Sequence, residues 1–224
     1  MENTPGTNTD NSDMTAQNAK TTENYIPEQS GQAFSNIEVE CKTGTITIRS
    51  ENTFSLTYEN GKTAEYSITD NTLYIPIQDT GALILALPDD YLYDTVTLSV
   101  EKGHIYSNYS FDIKQFDLEL DDGEAKLEQI QVSENSSIRI NRGSAFLNGI
   151  FAGATDAQCR EGHLQIQTSA RQSDFNYSMK TVAGNLQVGE YDYHGAADKV
   201  IDNGAENTMD LSCTFGDISV VFEE

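Results

Sequence analysis

Asp117-Leu118-Glu119-Leu120-Asp121-Asp122-Gly123-Glu124-Ala125-Lys126-Leu127 is followed, 20 residues on, by Ser137-Ile138-Arg139-Ile140-Asn141-Arg142-Gly143-Ser144-Ala145-Phe146-Leu147. In both stretches aliphatic and polar residues alternate up to the glycine and alternate again after it, which is the two-residue period of a strand. Across the glycine the aliphatic positions lie five apart (Leu120 to Ala125, Ile140 to Ala145), so the alternation changes parity there. A strand that turns a corner at glycine does this, because glycine accepts the backbone angles of the bend.

The unit recurs. Gly44, Gly103, Gly123, Gly143, Gly162, Gly184 and Gly216 are each followed two residues later by Ile46, Ile105, Ala125, Ala145, Leu164, Leu186 and Ile218. From Gly103 the steps are 20, 20, 19, 22 and 32 residues. A period near 20 marks a repeat in which each unit buries its apolar face only against its neighbours. Three before the glycine stand Cys41, Val100, Leu120, Ile140, Cys159, Thr181 and Cys213; five before stand Val39, Leu98, Leu118, Ile138, Ala157, Met179 and Leu211. Coiled, like positions stack at about 4.8 Å per turn. The expectation is an all-β, single-domain β-solenoid of about 20 residues per turn, resembling a parallel β-helix. The crossover rule makes it right-handed.

Boundaries follow from composition. Residues 1–32 are rich in Asn, Thr, Ser, Glu and Gln and nearly free of aliphatics, so they are expected to be a disordered polar tether. Residues 33–224 form one body, with repeats over 95–222. Between Gly44 and Gly103, Phe54, Leu56 and Tyr58 alternate, Asn60-Gly61 follows, and Ala64, Tyr66 and Ile68 alternate again. Asn-Gly flanked in this way predicts a hairpin. Thr72–Ile77 reads as a third strand with Pro76 near an edge, so 53–77 is expected to be an antiparallel N-terminal cap. The long step after Gly184 predicts an insertion over 190–207, in which Tyr191, Tyr193 and His194 are the candidate partner-binding residues.

The formal net charge of −23 disfavours nucleic acid and anionic lipid as partners, since both reward basic patches. Its plainest role is to keep a chain of stacked strands soluble. The three cysteines share one inward column, where a thiol acts as a small hydrophobe. Sequence order puts Cys159 and Cys213 about two turns, or 9 to 10 Å, apart. Three free buried thiols are therefore expected. His104 and His163 fall three turns apart on the outer side, too far to share a metal. No nucleophile elbow, His-Glu-x-x-His or phosphate-binding loop occurs, so no catalytic residue, cofactor or metal is assigned. Asp121-Asp122 with Glu124, and Asp89-Asp90, are the carboxylate pairs on which a carbohydrate-active enzyme would depend.

Leu83 to Pro88, then Val96-Thr97-Leu98-Ser99-Val100-Glu101-Lys102-Gly103-His104-Ile105, resembles the bacterial DUF4097-type putative-adhesin family. The closing Met209-Asp210-Leu211-Ser212-Cys213-Thr214-Phe215-Gly216-Asp217-Ile218 is similar to that family's terminal turn, and the likeness spans about 35–222. The resemblance implies a non-enzymatic β-solenoid outside the cytoplasmic membrane, secreted or anchored, meeting a protein or glycan at the cell surface. The Ser/Thr/Asn-rich leader after Met1 fits an export or anchoring segment absent from this sequence.

Overall fold

The computed structural model describes residues 34–62, 64–78, 81–88 and 91–223. The tether assigned to 1–32 and the Asp89-Asp90 pair lie outside the described residues. Fifteen strands form one open, mostly parallel sheet, and the only helical element described is a 3-10 turn at Gln172–Asp174. No helix among the described residues is long and apolar enough to cross a membrane.

In chain order the strands are β1 (Asn36–Ser50), β2 (Ser55–Tyr58), β3 (Ser67–Thr69), β4 (Thr72–Ile77), β5 (Ala82–Leu87), β6 (Leu92–Ser107), β7 (Phe111–Phe151) and β8 (Ala154–Cys159). They continue as β9 (His163–Thr168), β10 (Phe175–Thr181), β11 (Asn185–Val188), β12 (Tyr191–His194), β13 (Ala197–Ile201), β14 (Asn207–Cys213) and β15 (Asp217–Phe222). Each repeat is a rung made of strand, glycine corner and strand. Like rungs lie in register: Gly44 faces Gly103, and Gly103 faces Gly123. The long β7 carries two rungs, since Asn141 bonds Asp121 and the Ser133 hydroxyl bonds the Ile113 carbonyl at 3.3 Å.

The aliphatic columns are the core. Val39, Leu98, Leu118, Ile138, Ala157 and Leu211 are buried in one column, and Ile46, Ile105, Ala125, Ala145, Leu164 and Ile218 in another. Parallel register places identical positions of successive rungs side by side, so each column is continuous. The corners need glycine for closeness as well as conformation. At Gly143 φ is +115°, and a Cβ would lie 2.2 Å from the Gly123 carbonyl oxygen.

Rung order in space departs from chain order at both ends. The sequence 72–87 places β4 and β5 as a full rung, parallel to β1 on its far side (Val39 faces Ile75, Ile48 faces Leu85). The rung 36–50 is thus second in space, between 72–87 and 92–107. At the other end 207–222 is inserted between 154–168 and 175–188, with β14 pairing both β8 and β10 and β15 pairing both β9 and β11. The expected antiparallel cap over 53–77 is therefore only half antiparallel. β2 lies antiparallel on β5 and β3 on β4, but β4 continues the parallel stack. The Asn60-Gly61 turn does form, with the Tyr58 amide bonding the Lys62 carbonyl at 2.8 Å. A second reversal comes from Asp70 and Asn71, both at positive φ (49° and 64°), the pair a tight hairpin turn requires.

Interleaving corrects the cysteine distance. Cys159 and Cys213 face each other on adjacent rungs rather than two turns apart, because 175–188 does not follow 154–168 in space. All three thiols are free and buried. The 190–207 stretch is not a loop on one wall. Its β12 and β13 run antiparallel to β11 and β10, with the Gly195 amide 3.0 Å from the Gly184 carbonyl, and cover the end of the stack.

Candidate binding surface

Residues two and four before each corner glycine point outward on either side of the buried Cys41, Val100, Leu120, Ile140 and Cys159 column. They line a shallow groove running along the stack. One stretch of about 520 Å³ is bordered by Glu40, Lys42, Ser99, Glu101, Glu119 and Asp121. The next, about 440 Å³, shares Glu119 and Asp121 and adds Arg139, Asn141, Gln158, Arg160, Ser212 and Thr214. Register sets the order, with Glu40 facing Ser99, Ser99 facing Glu119, and Arg139 facing Gln158.

The groove is acidic at one end and cationic at the other. Asn141 links the halves, donating its amide to Asp121 while its side-chain oxygen accepts from Arg160 Nη1 at 3.1 Å. Arg139 Nη2 is 3.8 Å from Asp156, and Arg142 Nη2 is 3.9 Å from Asp122. Such exposed pairs contribute little stability, so the guanidiniums stay available to a ligand. At the acidic end the Tyr74 hydroxyl bonds Glu40 at 2.5 Å, and that bond raises the Tyr74 pKa above its ordinary value.

Of the carboxylates picked out from sequence that fall among the described residues, Asp121 alone borders the groove. Asp122 pairs with Arg142, and Glu124 lies past the corner, where it accepts from the Tyr106 hydroxyl at 3.2 Å. Sequence reasoning missed Glu40, Glu101, Glu119, Arg139 and Arg160. Their signal was present in the outward columns, which went unread beside the aliphatic ones.

The expected partner residues sit elsewhere. Tyr191 and Tyr193 share the inner face of β12 and pack on the core, Tyr191 at 6.1 Å from the Tyr177 ring. Burial above all raises the Tyr177 pKa, with negative charge on neighbouring groups adding to it. His194 is on the opposite face, its Nδ1 2.7 Å from Asn185 Oδ1 and its Nε2 3.3 Å from Asp192. The three therefore do not present one patch. His104 and His163 stand on separate rungs, beside Glu124 (3.6 Å) and Asp217 (4.0 Å) respectively.

No family model and no curated protein matches the chain. Among solved structures it is similar to a putative cell adhesion protein from Clostridium sporogenes, at 11% identity and a TM-score of 0.47, over 89% of this chain and 97% of that one. It is also similar to a putative adhesin from Bacteroides fragilis, at 13% identity and a TM-score of 0.45, over 85% and 93% of the two chains. No function is transferred from likenesses this distant.

Proposed function

We propose that the chain is a right-handed β-solenoid of the DUF4097 type, serving as a non-catalytic binding scaffold on the outside of the cell. Its working surface is the long polar groove, and its partner is a protein or glycan rather than nucleic acid. The observation that carries this reading is the continuity of the groove across neighbouring rungs, with Glu119 and Asp121 common to both stretches. Groups repeating at about 4.8 Å along a rigid wall suit an extended ligand with its own repeat. In the finished fold the three thiols are buried, which supports a packing role there over a catalytic nucleophile.

A glycan and extracellular-matrix array probed with the full chain tests the proposal. Binding that is lost in Arg139→Glu and Glu119→Lys, and kept in Glu124→Lys, supports it. Binding unaffected by either groove variant would refute the groove as the surface. A carbohydrate-active enzyme is the second reading, favoured by Glu101 and Asp121 at equivalent positions of neighbouring rungs within the groove. Release of reducing ends from an array ligand, abolished by Asp121→Asn, would replace the scaffold with the enzyme.

A further inference from the structure

We propose that Cys159 and Cys213 form an intramolecular disulfide under oxidising conditions, stapling the rung 207–222 into the slot between 154–168 and 175–188. The inference goes beyond the binding role and does not depend on it. Three observations carry it. First, the two cysteines are direct partners in the β8–β14 ladder. Parallel neighbours lie about 4.8 Å apart, inside the Cα separation a disulfide spans. Second, both occupy the same inward column, so their Cβ atoms project side by side.

Third, both sulfurs sit in the space that corner glycines leave open. A Cβ built on Gly216 would lie 2.8 Å from Cys159 Sγ, so Cys159 Sγ leans over the corner of the Cys213 rung. Cys213 Sγ leans toward the following rung, where a Cβ on Gly184 would be 3.1 Å away, and it lies 3.5 Å from the Asn185 carbonyl. Bond formation requires Cys213 to rotate about χ1, away from the Asn185 carbonyl and back toward Cys159. Cys41 is the internal control, since its rung partners are Ile77 and Val100.

The chemistry is thiol–disulfide exchange. A small disulfide oxidant, RSSR, is attacked by one thiolate to give a mixed disulfide and RSH. The second thiolate then displaces the other RSH, leaving one Sγ–Sγ bond and two electrons on the oxidant. Both thiols are within 3% of full burial, so exchange occurs while the last rung is docking rather than in the finished fold. The cross-link also shortens the unfolded chain between the two positions, which favours the folded state.

The test uses the full chain, unfolded and reduced, then refolded with oxidised and reduced glutathione or with reductant alone. Intact mass after alkylation in denaturant counts the remaining thiols. Expected after oxidative refolding is one alkylated cysteine, Cys41, against three after reducing refolding, with a higher thermal midpoint for the oxidised form. Cys41→Ser should keep the bond and the rise in midpoint, whereas Cys159→Ser should lose both. Three alkylated thiols after oxidative refolding, a cross-link that includes Cys41 or joins two chains, or a lower midpoint in the bonded form would each overturn the proposal.

Discussion

The middle of the stack, 92–168, and its two ends are built from the same rung but wound by different rules. In the middle each rung docks on its predecessor in sequence, as Leu118 does on Leu98 and Ala157 on Ile138. At the front the chain doubles back to lay 72–87 on one side of 36–50 before 92–107 docks on the other, and at the back it returns to fill a place between 154–168 and 175–188. The difference teaches that column chemistry sets which residues face inward, while turn chemistry at a few positions sets which rung becomes whose neighbour. Asp70-Asn71 reverses the chain at one end and Gly189-Glu190 at the other, the latter with Gly189 at φ +53°. Each end also finishes in an antiparallel layer that covers strand edges.

The largest effect should come from charging the middle. Leu120→Asp puts a carboxylate into a fully buried column and should destabilise by about 4 kcal/mol or more, enough to unfold the domain. The outward Glu124→Lys should change stability by no more than about 0.5 kcal/mol. Equal melting temperatures for the two would show the columns to be misassigned.

The same glycine change should cost more in the middle than at the end. Gly143→Ala forces a Cβ against the Gly123 carbonyl and should cost about 3 kcal/mol in urea unfolding. Gly195→Ala, at φ +71° with open space around it, should cost about 1 kcal/mol. Equal losses would remove the distinction between close-packed corners and free ones.

A pH titration separates Cys41 from the rest of the column. Burial pushes its thiol from 9.0 up to about 11, so the folded state favours the protonated form. That stability is fully present below pH 9 and is lost as pH rises toward 11. Thermal midpoints across this window should fall less in Cys41→Val than in the parent chain. An unchanged slope would mean that Cys41 does not titrate with unfolding.

The smallest effect on stability, but a visible one on assembly, belongs to Lys199. It faces Met179 across the β10–β13 ladder at an otherwise inward position of an edge strand. Lys199 is exposed, and a lysine on an edge strand discourages pairing with another chain. Lys199→Val should leave the melting temperature nearly unchanged and raise self-association in sedimentation velocity; a monodisperse variant would assign edge protection to other features.

Much of this was legible in residues. The aliphatic columns and corner glycines announced themselves because a two-residue period and a parity change leave few alternatives. Gly81 escaped notice as a corner, although Leu83 follows it two residues later as the rule requires. The exchange of rung order was not legible. Every rung carries interchangeable apolar columns, so Leu211 fits beside Ala157 as well as Met179 does, and nothing in a column names its neighbour. The groove was missed for a related reason: its acidic and basic ends arise from register between rungs, and no contiguous motif contains them.

The interleaved position of 207–222 has a consequence for how the chain is made. The rung 175–188 touches the rest of the stack through strands that are synthesised after it, since β14 and β15 are what join it to β8 and β9. Assembly can follow translation from the front only as far as Thr168. Later segments can pair among themselves, as β11 with β12 and β10 with β13, but they join the stack only through contacts such as Thr155 with Met209, which spans 54 residues. Until then the 154–168 rung is an open template, so a stalled or truncated chain would meet its greatest danger of pairing with another molecule there.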